Sequence, residues 1–383
     1  MRTVSKTVIG VDFGTQSARA VLVNAENGEI IYSCRKEYPY NSTPVPAIDC
    51  AENLPCATDY EMTLYELLRN VIPEEYRKTV AGICVDATSL TMVLLAEDGR
   101  ALSELDGWSE AAHARVKLWK YHRAQEKADE ALNLARNLQE PFLGRTGGSI
   151  SCEWMLPKLL EVRDEAPEIY SKIDLAMDLC EFLTFRLTGQ LVRSIGSLSY
   201  KCLWAEDLSF PERTFLNGLR AGFYEEYCHF LRGDVRKPGE CAGMLRSELT
   251  KRWGLPEQIP VATGMLDGHT SLATMGAFEP GDAALIVGTS NVCTVQDRKL
   301  QELKDVCGVA QDGMVTGSCG IDTGQSSTGN MLGWFVEHMA GWQIHREAEE
   351  RKISPHQVLA ERIQKPWENK AVSYTHLRAH ETR

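Results

Sequence analysis

Three stretches of this chain combine glycine turns with side chains that can do chemistry. The first is Asp12-Phe13-Gly14-Thr15-Gln16-Ser17-Ala18-Arg19. It lies between two apolar, β-branched runs, so it reads as a hairpin turn rather than a strand-to-helix loop. A tight glycine turn leaves several backbone N–H groups pointing at one spot, which makes an anion-binding concavity. Thr15 and Ser17 add hydroxyl donors, and Arg19 could neutralise phosphate charge. Asp12, at the strand end, could hold Mg²⁺ through water, because that ion is usually bound through one or two carboxylates. The alternative is an ordinary hairpin with a polar turn. The second stretch, Gly288-Thr289-Ser290, repeats this design between the runs Ala283–Val287 and Val292–Val295. Two such turns facing across a cleft would grip a polyphosphate from both sides, and neither is a P-loop, since no G-x-x-x-x-G-K-[ST] occurs. The third is Gly264-Met265-Leu266-Asp267-Gly268-His269. A strand-end carboxylate flanked by glycines, Asp267, is placed to act as a general base; the alternative is a turn aspartate capping the following helix. His269 reads as a helix-start or packing residue. A Ser-His-Asp hydrolase is excluded by the lack of a G-x-S-x-G elbow.

The elements that must position these residues follow from hydrophobic period and turn signals. Thr7–Asp12, Ser17–Asn24 and Glu29–Tyr38 predict an antiparallel meander, with Asn27-Gly28 as a hairpin turn. Thr58-Asp59-Tyr60-Glu61 is a capping box, and its helix should run to about Asn70. Val80–Val85 and Thr91–Leu95 predict buried strands. Helices are expected over Glu126–Leu138, over Glu153–Val162 with a bend at Pro157, over Asp178–Leu187, and in part of Leu208–Phe230. A short helix, Ser247–Trp253, closes on Gly254. Strands then return at Ile259–Thr263, Ala283–Val287 and Val292–Val295, before a late helix, Ser326–His338. A β-rich, α-rich, β-rich order predicts two α/β units with helical insertions, divided near Pro256–Pro260.

The composition fits that reading. The chain has 383 residues, 43% hydrophobic and 25% charged, the balance of an ordinary globular protein of two or three domains. The net charge of -12 argues against nucleic acid or an anionic membrane as partner. An anionic ligand would then need backbone N–H groups and a metal ion. The 12 cysteines form no C-x-x-C pair, so zinc-type spacing is missing and reduced, mostly buried thiols are expected. No apolar run reaches the ~20 residues of a membrane span, and the expected compartment is the cytoplasm.

D-F-G-T-Q-S-A-R, G-M-L-D-G-H and V-G-T-S-N together resemble the FGGY carbohydrate kinases, from about residue 7 to about residue 340. Within that family the chain looks most like the ribulokinases. The stretches that carry this are Gly82–Thr91, Leu118–Ala124, Gly147–Lys158, Ser199–Trp204 and Gly320–Gly329. The resemblance implies an α/β, two-lobed ATPase fold of the actin, Hsp70 and sugar-kinase type, with ribonuclease H-like lobes. It implies ATP and Mg²⁺ as cofactors. It assigns Asp12, Gly14, Thr15, Gln16, Ser17 and Arg19 to one phosphate turn and Gly288, Thr289 and Ser290 to the other. It makes Asp267 the base and Lys201 a sugar contact. Ser89, Trp119, Lys120, Asp322 and Gln325 fall in its sugar-binding segments. Tyr121 and Asp322 depart from the usual ribulokinase Asp and Glu. The implied activity is phosphorylation of a ketopentose, foremost L-ribulose to L-ribulose 5-phosphate in arabinose catabolism. The alternatives are a kinase of D-ribulose, xylulose or ribitol, or a non-catalytic Hsp70-like or actin-like ATPase module. A homodimer is the candidate assembly.

The expected organisation is a first lobe over 1–258 and the start of a second lobe over 259–371. Residues 372–383 are expected to be non-native, because Ser373–Arg383 (SYTHLRAHETR) resembles translated sequencing adaptor. On that reading the second lobe is incomplete and the adenine site lies in sequence beyond the natural part.

Overall fold

The computed structural model describes residues 5–38, 54–287, 291–325 and 328–363. The second glycine turn, Gly288-Thr289-Ser290, and the tail 372–383 lie outside the described residues. The strands are β1 (Thr7–Phe13), β2 (Ser17–Asn24), β3 (Ile30–Glu37), β4 (Val80–Ala87), β5 (Met92–Leu95), β6 (Leu175–Asp178), β7 (Val192–Ser194) and β8 (Asp234–Arg236). They continue with β9 (Cys241–Met244), β10 (Pro260–Ala262), β11 (Met265–Leu266), β12 (Ala283–Val287), β13 (Asn291–Asp297), β14 (Gly308–Gln311) and β15 (Cys319–Gln325). The chain divides into two compact units. One comprises residues 1–286 and 292–324, the other 287–291 and 325–383.

The principal sheet has the order β3-β2-β1-β4-β10-β9, with β11 also on β4. The expected meander β1-β2-β3 is antiparallel, whereas β4 runs parallel to β1 and β10 and β11 run parallel to β4. Parallel strands bring their carboxyl ends to one edge, where open α/β sheets bind ligands. β10 and β11, which follow the boundary expected after residue 258, pair with β4 of this sheet. A second sheet, in the order β12-β13-β15-β14, follows.

Alternating burial on β1 places Ile9, Val11 and Phe13 in the core, against Leu64, Leu67 and Leu68 of the helix Ala57–Val71. Each such side chain contributes roughly 1.5–3 kcal/mol when fully buried. That helix begins two residues earlier than the box at Thr58 predicts. Asp59, not Glu61, closes the box by accepting from the Cys56 N–H at 3.1 Å, and Glu61 pairs with Arg186 at 2.9 Å. Pro157 falls in the first turn of the helix Met155–Glu165, where a missing N–H leaves no helical bond unmade. It starts the helix rather than bending it.

Two buried polar clusters brace the region behind the sheet edge. Arg193 is fully buried and donates to the carbonyls of Arg232, Ala176 and Phe230 and to Glu181 Oε2, at 2.8–2.9 Å. Asp178 caps the helix Leu179–Thr188 through the Leu179 N–H at 2.7 Å. It also accepts from the Ser197 hydroxyl and, at 3.1 Å, from the Leu90 N–H. The Leu90 carbonyl accepts from Lys158 Nζ at 2.9 Å. Leu90 has φ +43°, a strained value for a leucine. Hydrogen bonds on both sides of its backbone hold it there.

Candidate active site

Three strand-end carboxylates meet at the sheet edge. Asp12, one residue before the end of β1, is level with Asp86, one residue before the end of β4. Asp86 is level with Met265 of β11, and two residues later Asp267 begins the helix Asp267–Met275. Burial, the nearby Asp12 charge and Asp267 push the Asp86 carboxyl up to about 8. Its Oδ1 is buried without a hydrogen-bond partner among the described residues. Asp267 is pushed up to about 6, chiefly by burial, against the Gly268 N–H, which its Oδ1 accepts at 2.7 Å. Asp12 raises it further, while Lys201 and the Ser89 N–H favour its ionised form. Asp86 was missed by sequence reasoning. Its signal was present: Val85-Asp86 lies near the end of a β-branched strand just as Val11-Asp12 does.

Lys201, closing the helix Ile195–Lys201, pairs with Asp322 of β15 at 3.5 Å. Burial opposes the lysine charge, but Asp322 outweighs it and raises the Lys201 pKa. Asp322 is buried too, yet Lys201 and His269 hold its carboxyl below the usual range. His269 lies 3.7 Å from Asp322 and meets Tyr200 edge-on at 4.8 Å, so it is a packing residue that also orients Asp322. Ser89 presents a buried hydroxyl with no partner among the described residues. Asp267, Ser89, Lys201 and Asp322 thus form one set of acceptors and donors suited to a polyhydroxylated molecule.

The turn after β1 is closed by Gly14 N–H to the Ser17 carbonyl at 3.1 Å, and Tyr38 donates to the Gly14 carbonyl at 2.9 Å. Gly14 does not have a positive φ, and a Cβ there would meet only the Ser17 carbonyl oxygen, at 3.4 Å. Its own backbone therefore tolerates alanine. Thr15 accepts from Trp119 Nε1 at 3.1 Å, which ties the tryptophan segment to the turn. The Ser17 hydroxyl is engaged by Arg35 Nε at 3.0 Å, so it faces that arginine instead of standing free as a ligand donor. Arg19 is exposed on β2 directly opposite Asp12, and Gln16 is exposed at the turn. Lys120 is half-buried, and burial lowers its pKa. Tyr121 belongs to a core network instead: Lys117 Nζ donates to its hydroxyl, which donates to Glu161, both at 3.0 Å. Gln325, at the end of β15, is exposed and belongs to the second compact unit.

Among the described residues no group of three or more His, Cys, Asp or Glu side chains is gathered to ligate a metal directly. The unpartnered Asp86 Oδ1 beside two further carboxylates still fits a cation that keeps its water shell, as Mg²⁺ tends to. No helix among the described residues is long and apolar enough to cross a membrane.

The charge cluster makes stability depend on pH. The folded state holds the Asp86 proton from about 4, the ordinary carboxylate value, to about 8. Its contribution is therefore greatest at low pH and is lost as pH rises through about 8. Asp86→Asn should raise the melting temperature at pH 8.5 clearly more than at pH 5, where only the first part of the loss has occurred. Equal shifts at both pH values would show that Asp86 ionises normally.

The profile of the FGGY family of carbohydrate kinases, N-terminal domain, matches residues 7–275. The chain is 32% identical over 366 residues to a ribulokinase of Halalkalibacterium halodurans, covering 94% of this chain and 65% of that protein. It is 35% identical over 370 residues to a ribulokinase of Mycolicibacterium smegmatis, with 93% and 65% covered. The chain thus spans just under two thirds of the length of these relatives. A xylulose kinase structure from Lactobacillus acidophilus aligns with TM-score 0.72 at 18% identity, over 94% of this chain and 66% of that one. A Plasmodium falciparum glycerol kinase with ADP aligns with TM-score 0.67 at 14% identity, over 87% and 63%. At these identities the structural likeness is one of fold, the α/β fold that sugar kinases share with actin and Hsp70. The profile covers most of the sequence, including Asp12, Asp86 and Asp267, and the chain belongs to the FGGY family of carbohydrate kinases.

Proposed function

We propose that the protein of which this chain is the sequence transfers the γ-phosphoryl group of ATP to a hydroxyl of a ketopentose, L-ribulose foremost. The observation that carries this is Asp267. It is a carboxylate raised to about 6, at a parallel strand end, between the phosphate-type turn after β1 and the Lys201–Asp322 pair. Asp267 would accept the proton of the attacking hydroxyl, and a base with a pKa near the working pH does so best. Lys201, Asp322 and Ser89 would orient the sugar. The turn Asp12–Arg19 would receive phosphate oxygens on its N–H groups and on Arg19. A hydrated Mg²⁺ held through Asp12, with Asp86 beside it, would neutralise phosphate charge. Phosphoryl transfer of this kind depends mostly on positioning and charge neutralisation. Ribulokinases being among the relatives supports the choice of sugar.

The test is ADP release with Mg·ATP and a panel of L-ribulose, D-ribulose, xylulose and ribitol. It is made on this chain extended to its relatives' length with the corresponding segment of one of them. The expected result is the highest kcat/KM with L-ribulose. A different best sugar would overturn the substrate. ATP turnover indifferent to every sugar would overturn the kinase reading in favour of an ATPase module.

A further inference from the structure

Away from the strand ends, a separate cavity of about 470 Å³ opens inside the first compact unit. Its walls come from the turn Pro141–Arg145, the segment 203–212, and Val309–Gln311 of β14. Phe142, Leu203, Trp204 and Phe210 make most of it apolar and aromatic. Two polar side chains in the lining are almost fully enclosed: Glu140 is 5% exposed and Thr146 is 3% exposed. Oε2 of Glu140 and Oγ1 of Thr146 are both buried with no hydrogen-bond partner among the described residues. A buried acceptor left unmade is costly, and such groups call for a partner.

The charges around the cavity say what kind of partner fits. Glu140, Glu206, Asp207 and Glu212 line it. Arg145, also in the lining, is already committed to Asp207 by two bonds of 2.8 and 2.7 Å. The field is negative, which disfavours phosphates and carboxylates. The aromatic walls suit an apolar body, and aromatic faces near an acidic group also attract cations.

We propose that this cavity binds a small organic amine, with its apolar body between Phe142, Trp204 and Phe210 and its ammonium group donating to Glu140 Oε2. Thr146 Oγ1 offers a second acceptor. The site is independent of the kinase reading, since none of Asp12, Asp267, Lys201 and Asp322 lines it.

The test uses phenethylamine as probe on the full chain, with benzyl alcohol and benzoate as controls, read by ligand-observed saturation-transfer NMR. Saturable binding of the amine at about millimolar Kd or tighter is expected, with benzyl alcohol weaker and no benzoate binding. Glu140→Gln should weaken the amine by about tenfold or more, because it removes a charge-assisted hydrogen bond. Leu208→Arg, at a lining position that is 47% exposed, should abolish binding while leaving the fold intact by circular dichroism. It keeps the test decisive if Glu140→Gln fails to fold. Absence of saturable amine binding overturns the proposal, as does binding insensitive to Leu208→Arg. Benzyl alcohol or benzoate binding as tightly as the amine overturns the assignment of an ammonium.

Discussion

Asp267→Asn should lower turnover by roughly 10²- to 10⁴-fold while the sugar KM changes little. The substitution keeps the side chain's size and an oxygen that can accept from the Gly268 N–H, now bonded to Oδ1 at 2.7 Å. The helix start therefore survives, and so does Thr270 Oγ1 donating to the Asp267 carbonyl at 2.7 Å. What is lost is the only function an amide cannot replace, accepting a proton. The measurement is steady-state ADP release with L-ribulose and Mg·ATP in the length-completed protein, alongside a melting curve. Turnover within a few-fold of the parent would remove Asp267 from the chemistry and leave it a helix-start residue. A matching fall in both turnover and melting temperature would point to packing.

The second large effect is on stability. Asp178→Leu should destabilise the first compact unit by about 3 kcal/mol or more. Asp178 is fully buried, and its carboxylate serves Leu179 N–H, Leu90 N–H and the Ser197 hydroxyl. Leucine fills the volume but leaves three donors without a partner, and it removes the hold on the strained Leu90 backbone. Asp178→Asn should cost clearly less. Burial already pushes the Asp178 carboxyl up to about 7, so a neutral amide resembles the group the fold prefers. Urea unfolding midpoints give the comparison. Equal costs for the two substitutions, or a cost below about 1 kcal/mol for leucine, would show that the clamp on Leu90 carries little energy.

Much of this architecture was legible in the chain. The meander β1-β2-β3 was readable because Gly14 and Asn27-Gly28 punctuate β-branched runs, and local turn chemistry fixes local pairing. The end of the first sheet was not. β10 has three residues and β11 two, too short for a period, and their places depend on parallel pairing with β4 across 178 and 179 residues. Proline and glycine near residue 256 mark the turn that leads into β10, and say nothing of the sheet that strand joins. Asp12 and Asp267 stood out because glycines flank them. Asp86 has no glycine beside it, and its significance arises only from standing between the other two. Lys201 and Asp322 are 121 residues apart, so no spacing could pair them; resemblance to a family supplied both. Glu140 carries no signal in the sequence, since an orphaned oxygen is a property of packing.

Arg193 has a consequence for motion. Its guanidinium cannot shed its proton at any ordinary pH, so the pocket formed by Glu181 and the carbonyls of Ala176, Phe230 and Arg232 cannot loosen a little at a time. Any partial opening would strand a full charge away from both its partners and water. The segments 176–181, 193–194 and 230–232 are thus expected to open only together, as one cooperative unit. In native-state amide hydrogen exchange their slowest protons should share a single opening free energy, equal to that of the whole first unit, while the exposed helix Trp342–Arg351 exchanges by its own local fraying.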